Sequence, residues 1–279
     1  MTQHFLPRAI LNIRIWIKAL LRPPRPRLAK ARRRPRVWII VCSVILFAGL
    51  LTLAMFTIDA WTITEMRRLP RPLVAIFDEI TDFGKSGWLL FPLAFALFCF
   101  AALPATLPQS TQMIITTLTA RLGFIFVAIT LPGLFTLFSK YLIGRARPYA
   151  ADGNPHVFHL LFRPEYASLP SGHSTTAFAA ATAISAVWPK AGIPAWLYAL
   201  TIGASRIIVT AHFPSDVMAS AIVGVTGAIL VRNYFASRGY VFSITQGGDI
   251  YPFAGPSWRR FKSATDVKSF MPARSRTSI

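Results

Sequence analysis

The segment VWIIVCSVILFAGLLTLAMFTI, residues 37–58, contains no charged side chain. A helix needs about 20 such residues to cross the hydrocarbon of a bilayer, and in lipid only helices and closed barrels satisfy their own backbone hydrogen bonds. This one run sets lipid as the solvent. Further apolar runs follow at 87–107, 122–139, 174–188, 191–209 and 217–231. The run at 122–139 carries Pro132-Gly133, a kink that neighbouring helices must cover. The expected fold class is all-α, a polytopic membrane protein built as a six-transmembrane-helix bundle. The last three runs are only modestly apolar. Their Ala177, Ala180, Gly203, Gly224 and Ala228 suit close packing inside a bundle rather than lipid contact.

Composition agrees, with 54% hydrophobic and 14% charged residues, where a soluble domain carries about 25% charged. The formal net charge of +20 lies mainly at the two ends: eleven lysines and arginines precede the first run and eight lie from Arg232 onward. An even number of crossings puts both ends on one side, and the positive-inside rule makes that side the cytoplasm. Arg67, Arg68, Arg71 and Lys85 in the first outer loop oppose this, but the terminal excess is larger.

The chain divides into a basic cytoplasmic segment (1–36), a six-helix domain (37–235) and a basic tail (236–279) expected to be disordered. Within the first, AILNIRIWIKALL (9–21) has the spacing of a short helix lying on an anionic leaflet, with a disordered tail as the alternative. The arginine- and proline-rich stretch 22–36 abuts a spanning helix and reads as an anchor for anionic headgroups, with no nucleic-acid partner expected. A bacterial inner membrane is the expected location. Cys42 and Cys99, deep in apolar runs and without partners at ligand spacing, read as inert packing residues.

Three polar clusters interrupt this pattern. KYLIGRARP (140–148) ends the third run, PSGH (170–173) opens the fourth, and SRIIVTAHFPSD (205–216) joins the fifth to the sixth. Two clusters flank one loop, and the hairpin of the fourth and fifth runs returns the third to the same face. Topology therefore gathers Lys140, Arg147, His173, Arg206, His212 and Asp216 at one level, outside the cytoplasm. Ionisable groups at that depth mark a functional site. Lys140 and Arg147 stand two helical turns apart if the helix continues, and Pro148 should end it near Arg147. Ser171-Gly172-His173 begins a helix whose free amides form an anion cradle. Pro214 suits a first helical position, which leaves His212 just before the helix and Asp216 in its first turn.

The chemistry of this set is phosphoryl transfer. Lysine and arginines match phosphoryl oxygens, an aspartate-held neutral histidine can act as nucleophile, and a second histidine can protonate a leaving oxygen. No carboxylate cluster offers itself to magnesium, so the chemistry is expected to need no metal or other cofactor.

The three clusters resemble the signature of the type 2 phosphatidic acid phosphatase (PAP2) family, Lys-x6-Arg-Pro, Pro-Ser-Gly-His and Ser-Arg-x5-His-x3-Asp, with every motif position filled over residues 37–232. The resemblance implies that His212 attacks phosphorus to give a phosphohistidine, that Asp216 orients it, and that His173 protonates the leaving alkoxide. Lys140, Arg147, Arg206 and the amides near Ser171 and Gly172 would hold the phosphoryl oxygens.

The partner is then a phosphorylated membrane lipid. Polyprenyl pyrophosphate, phosphatidate, phosphatidylglycerophosphate and a lipid A-like glycolipid phosphate are all consistent. Alternatives are a phosphotransferase using the same phosphohistidine, a vanadate-binding haloperoxidase, whose known relatives are soluble, and a non-catalytic membrane anchor that recruits partners. His156 and His159 read as loop residues above the site. Asp78, Glu79 and Asp82 read as part of a surface helix, and Asp59 as an ordinary interfacial residue.

Overall fold

The structure is a computed structural model that describes residues 5–26, 28, 36–104 and 107–255. Its helices are α1 (Phe5–Leu20), α2 (Val37–Thr57), α3 (Asp59–Met66), α4 (Arg71–Asp82), α5 (Ser86–Ala102), α6 (Gln109–Ile143), α7 (Gly172–Val187), α8 (Gly192–Ile208) and α9 (Pro214–Arg238). A short antiparallel pair, β1 (Phe242–Ile244) and β2 (Ile250–Pro252), follows.

The architecture is an all-α bundle built inside out relative to a soluble protein. Trp38, Ile45, Leu46, Phe56, Phe91, Phe95, Leu131, Phe138 and Leu197 are all exposed, as side chains bathed in lipid should be. The centre is small. α7 buries Ala177, Ala179, Ala180, Ala181 and Ala183, with α6, α8 and α9 packed around it. A side chain at Gly224 would meet the Thr175 carbonyl at 2.7 Å and the Ala179 nitrogen at 2.9 Å, so only glycine lets α9 approach α7 this closely. Pro132 is covered by Gly227 of α9.

Among the described residues, five stretches are long and apolar enough to cross a membrane: 37–57, 71–102, 109–143, 189–208 and 214–238. The expected count of six does not emerge by that measure. The difference is α7, whose 16 residues fall just under the roughly 17 that a perpendicular span requires. Buried on almost all sides, it does not have to match the lipid itself. The interval 61–86, expected as a loop, instead forms most of α3 and α4.

The ends of the chain meet one another. Tyr234 and Tyr240 donate their hydroxyls to the carbonyls of Leu20 and Ala19, Arg25 N donates to Ser237 O, and Arg238 Nε donates to Arg22 O. α1 is also fastened to α5 by Asn12 Nδ2, which donates to Ala101 O at 2.8 Å. The first part of the tail departs from the disorder expected of it. Phe242 is fully buried, edge-on to Phe124 of α6 at 4.9 Å, and Arg121 donates to Phe253 O. Phe242, a large aromatic placed after the last apolar run, supplies the burial that this hairpin needs. Residues 29–35 and 256–279, which carry the remaining expectations for the basic tails, lie outside the described residues.

Candidate active site

The site forms where α6, α7, α8 and α9 present their polar ends together. α9 opens at Pro214, and Asp216 Oδ2 accepts from Phe213 N at 2.9 Å, which caps the helix and fixes the carboxylate in its first turn. His212 precedes the helix and is buried. Its Nδ1 lies 3.6 Å from Asp216 Oδ2 and 3.5 Å from Ser168 Oγ, and Ser168 Oγ itself donates to Asp216 Oδ2 at 2.5 Å. A proton on Nδ1 faces a carboxylate and a hydroxyl oxygen, so the tautomer that fits leaves Nε2 with its lone pair. Burial pushes the His212 imidazole down to about 4, against the opposing pull of Asp216. It is a neutral base at neutral pH.

His173 sits in the first turn of α7, and charge interactions join it to Arg206, His212, Arg147 and Lys85. Arg206, in the last turn of α8, is buried and donates from Nη1 to Thr81 Oγ1 at 2.7 Å. The Nε atoms of Arg147 and Arg206 are buried without a hydrogen-bond partner among the described residues. Buried guanidinium donors are almost always satisfied, so two unsatisfied ones in one cluster suit an anion between them. Lys140 interacts with Arg147 and shares a cavity of about 360 Å³ with Lys85, His173, Leu90, Ile129, Leu134 and Leu137. A side chain built on Gly172 would meet nothing within 4 Å, so the helix start faces open space.

Two expectations need correction. α6 ends at Ile143, not near Arg147, because Gly144 takes a left-handed conformation (φ 67°) and donates its N–H to Lys140 O. A side chain there would collide with the His159 carbonyl. Lys140 and Arg147 therefore reach the site from a helix and from an extended segment. Ser171 also departs from its expected role. Its amide is occupied by Ser220 Oγ at 2.7 Å, and its hydroxyl caps α7 by accepting from Ser174 N. It is an anchor between α7 and α9, which leaves Gly172 as the exposed part of the turn.

Residues 121–240 match the sequence profile of the PAP2 superfamily. That profile spans all three polar clusters, from Lys140 to Asp216. Two relatives, each named lipid A 1-phosphatase, come from Rhizobium johnstonii and Rhizobium etli. The first is 29% identical over 188 residues, covering 65% of this chain and 75% of that one. The second is 28% identical over 186 residues, covering 64% and 78%. The crystal structure of a transmembrane PAP2-type phosphatidylglycerolphosphate phosphatase from Bacillus subtilis superposes with a TM-score of 0.50 at 21% identity, covering 70% of this chain and 92% of that one. This chain is accordingly a PAP2-like phosphatase, and its bundle has the fold of the transmembrane PAP2 enzymes.

Sequence reasoning missed several residues that shape this phosphatase's site. Asp59, read as an ordinary interfacial residue, is completely buried. It accepts from Arg145 Nη2 at 2.7 Å, Ser215 N at 2.9 Å and Ser215 Oγ at 2.5 Å. Arg145, completely buried as well, also donates to Asp216 Oδ1 at 2.5 Å. Thr81 and Ser168 were passed over too. Only Asp59 and Arg145 carried a signal, each being an ionisable residue next to an apolar run. His156 and His159 stay in the loop: His156 stacks on Phe56 at 4.5 Å, and His159 meets Tyr166 edge-on at 5.2 Å.

Proposed function

We propose that this PAP2-like phosphatase removes the phosphate of a glycolipid of the lipid A type through a phosphohistidine on His212. The observation that carries the reaction is the buried, neutral His212, with Nδ1 turned to Asp216, beside two buried arginine Nε donors that have no partner among the described residues. In the first step the Nε2 lone pair attacks phosphorus. The phosphorus–oxygen bond to the lipid breaks, and its electron pair leaves on the alkoxide, which takes a proton from His173. Burial and the cations keep this imidazole neutral before substrate binds. The bound phosphate, by offsetting those cations, lets it take up that proton from solvent beforehand. Water then gives a proton to His173 and attacks phosphorus, the phosphorus–nitrogen bond breaks, and inorganic phosphate leaves. Arg147, Arg206, Lys140 and the Gly172 amide hold the phosphoryl oxygens as charge builds on them.

The lipid class rests on the two relatives named lipid A 1-phosphatase. The cavity beside His173 supports a lipid in general, because it combines Lys85 and Lys140 with apolar walls from α5 and α6 that can take hydrocarbon. The chain ends meet at one end of α9, and the site lies at the other, about 37 Å away for a helix of this length. With the basic ends in the cytoplasm, the site faces the periplasm of a bacterial inner membrane.

The test is a panel of lipids, with phosphate release as readout, in excess chelator. It comprises a glycolipid 1-phosphate, phosphatidylglycerophosphate, phosphatidate and a polyprenyl pyrophosphate. The highest kcat/KM should fall on the glycolipid, and His212→Ala should abolish it. Preference for another lipid would overturn the substrate class. Full activity in His212→Ala would overturn the mechanism.

A further inference from the structure

Behind His212 lies a buried ionic cluster of Asp59, Arg145 and Asp216. Arg145 bridges two carboxylates, Asp216 through Nη1 at 2.5 Å and Asp59 through Nη2 at 2.7 Å, and all three side chains are fully shielded from solvent. Its Nε donates to Pro155 O, Nη1 also meets Ser215 Oγ, and the guanidinium lies over the Phe213 ring at 4.4 Å. Every arm of the arginine is held. Such a group is expensive to bury and strongly destabilising to break, so its presence calls for a reason.

Charge supplies that reason. One arginine against Asp216 alone would offset the carboxylate's charge, and an imidazole gains little from a neutralised partner. Asp59 changes the sum. Two carboxylates and one guanidinium leave the cluster with one negative charge in excess, and Asp216 Oδ2 is the part of it that faces His212 Nδ1. The remaining charged groups around His212 are the cations Arg147 and Arg206 and the His173 imidazole. Asp78 and Asp82 act on Arg206, and Asp82 also on His173, from the exposed side of α4. The excess is therefore the buried negative charge facing the positive charge that develops on His212 as it attacks phosphorus.

We propose that Asp59 and Arg145 are positioning residues for catalysis: Arg145 locks Asp216 in place, and Asp59 offsets the arginine so that Asp216 keeps its charge for His212. The mechanism is remote from substrate, since Asp59 enters from the junction of α2 and α3 and acts through two intervening side chains. The proposal rests on the phosphohistidine reading given above.

Asp59→Asn preserves the shape, and with its amide oxygen in the place of Oδ2 it still accepts from Arg145 Nη2 and Ser215 Oγ. Its amide nitrogen loses the bond from Ser215 N, and the excess negative charge is gone. Phosphate release from the best lipid of the panel is measured in the full chain in mixed micelles. The expected result is a fall in kcat on the order of tenfold or more, with KM within about twofold. The double variant Asp59→Asn/Arg145→Gln removes both charges and leaves Asp216 as the one negative group. It should regain much of the lost kcat, because Ser168 Oγ and Phe213 N still hold Asp216 Oδ2 when Arg145 is gone.

A merely structural cluster predicts the reverse, with the double variant worse than the single one. The double variant also serves if the single one folds poorly, because its net charge equals that of the wild type. Wild-type kcat in Asp59→Asn, or a further loss in the double variant, overturns the proposal. A wild-type enzyme that releases no phosphate from any lipid overturns the functional reading instead, and the two failures are distinct.

Discussion

His212 Nδ1 stands 3.6 Å from Asp216 Oδ2, just beyond hydrogen-bonding distance, while Ser168 Oγ already holds the same oxygen at 2.5 Å. Catalytic hydrogen bonds are often long without substrate and tighten as charge develops. Asp216 is thus fixed first, by Ser168, Phe213 N and Arg145, and the imidazole closes onto it during attack. Asp216→Asn keeps the shape but can present an N–H to Nδ1 and favour the wrong tautomer. It should lower kcat on the order of a hundredfold or more. Steady-state kinetics on the preferred lipid checks this.

His173 is assigned the leaving group. Its loss should therefore matter in proportion to how badly the departing oxygen needs a proton. For His173→Ala, kcat should fall far more with an alkyl phosphate than with a nitrophenyl phosphate, whose oxygen leaves unaided. Equal losses with both would move the proton donor elsewhere.

Burial holds the His212 imidazole near 4 in the folded state against an unperturbed value of 6.5. The nucleophile stays neutral down to about that pH, so the acid limb of kcat/KM should fall near 4 rather than near 6.5, as pH–rate profiles will show. Stability moves in the same sense. Between pH 6.5 and 4 the unfolded chain binds a proton that the folded one refuses, so stability present above 6.5 is lost as pH falls through that window. The loss is about 3 kcal/mol at most. Melting curves of the wild type and His212→Gln should diverge at pH 7 and converge toward pH 4.

Thr81 Oγ1 accepts from both Arg206 Nη1 and Ser205 Oγ and so aims the guanidinium from α4. Thr81→Val keeps the volume and removes the acceptor. A hydrogen bond to a charged group contributes roughly 1.5–3 kcal/mol, so kcat/KM should drop about tenfold or more. Inorganic phosphate, as a competitive inhibitor, should weaken in parallel. An unchanged inhibition constant would remove Arg206 from phosphate binding.

The legible parts of this protein were those written in local pattern. The apolar runs and the start of α9 at Pro214, with His212 before it and Asp216 in its first turn, follow from hydropathy and capping rules, and the structure has them. One local signal was passed over in favour of Pro148: Gly144 ends α6 in a left-handed turn, and the approach of His159 O is what leaves no room for a side chain there. What else stayed hidden depends on tertiary company. Arg145 and Asp59 are separated by 86 positions and find one another only when α3 meets the segment after α6. The hairpin 242–252 escaped notice because its burial depends on Phe124, far back in α6. The run at 174–188 does form α7, but at 16 residues it falls short of a perpendicular span, since a helix enclosed by others is not bound to the thickness of the bilayer.

The central claim is a covalent bond between phosphorus and His212. Phosphohistidine survives alkali and breaks down in acid, so the wild type can be mixed with phosphate-labelled lipid, quenched at high pH within the first turnover, and digested for peptide mapping. The account predicts base-stable, acid-labile label on the peptide carrying His212, approaching one phosphoryl group per chain when hydrolysis is slowed, and none in His212→Ala. Label on another residue, or steady phosphate release with no phosphoenzyme at any time point, would contradict it.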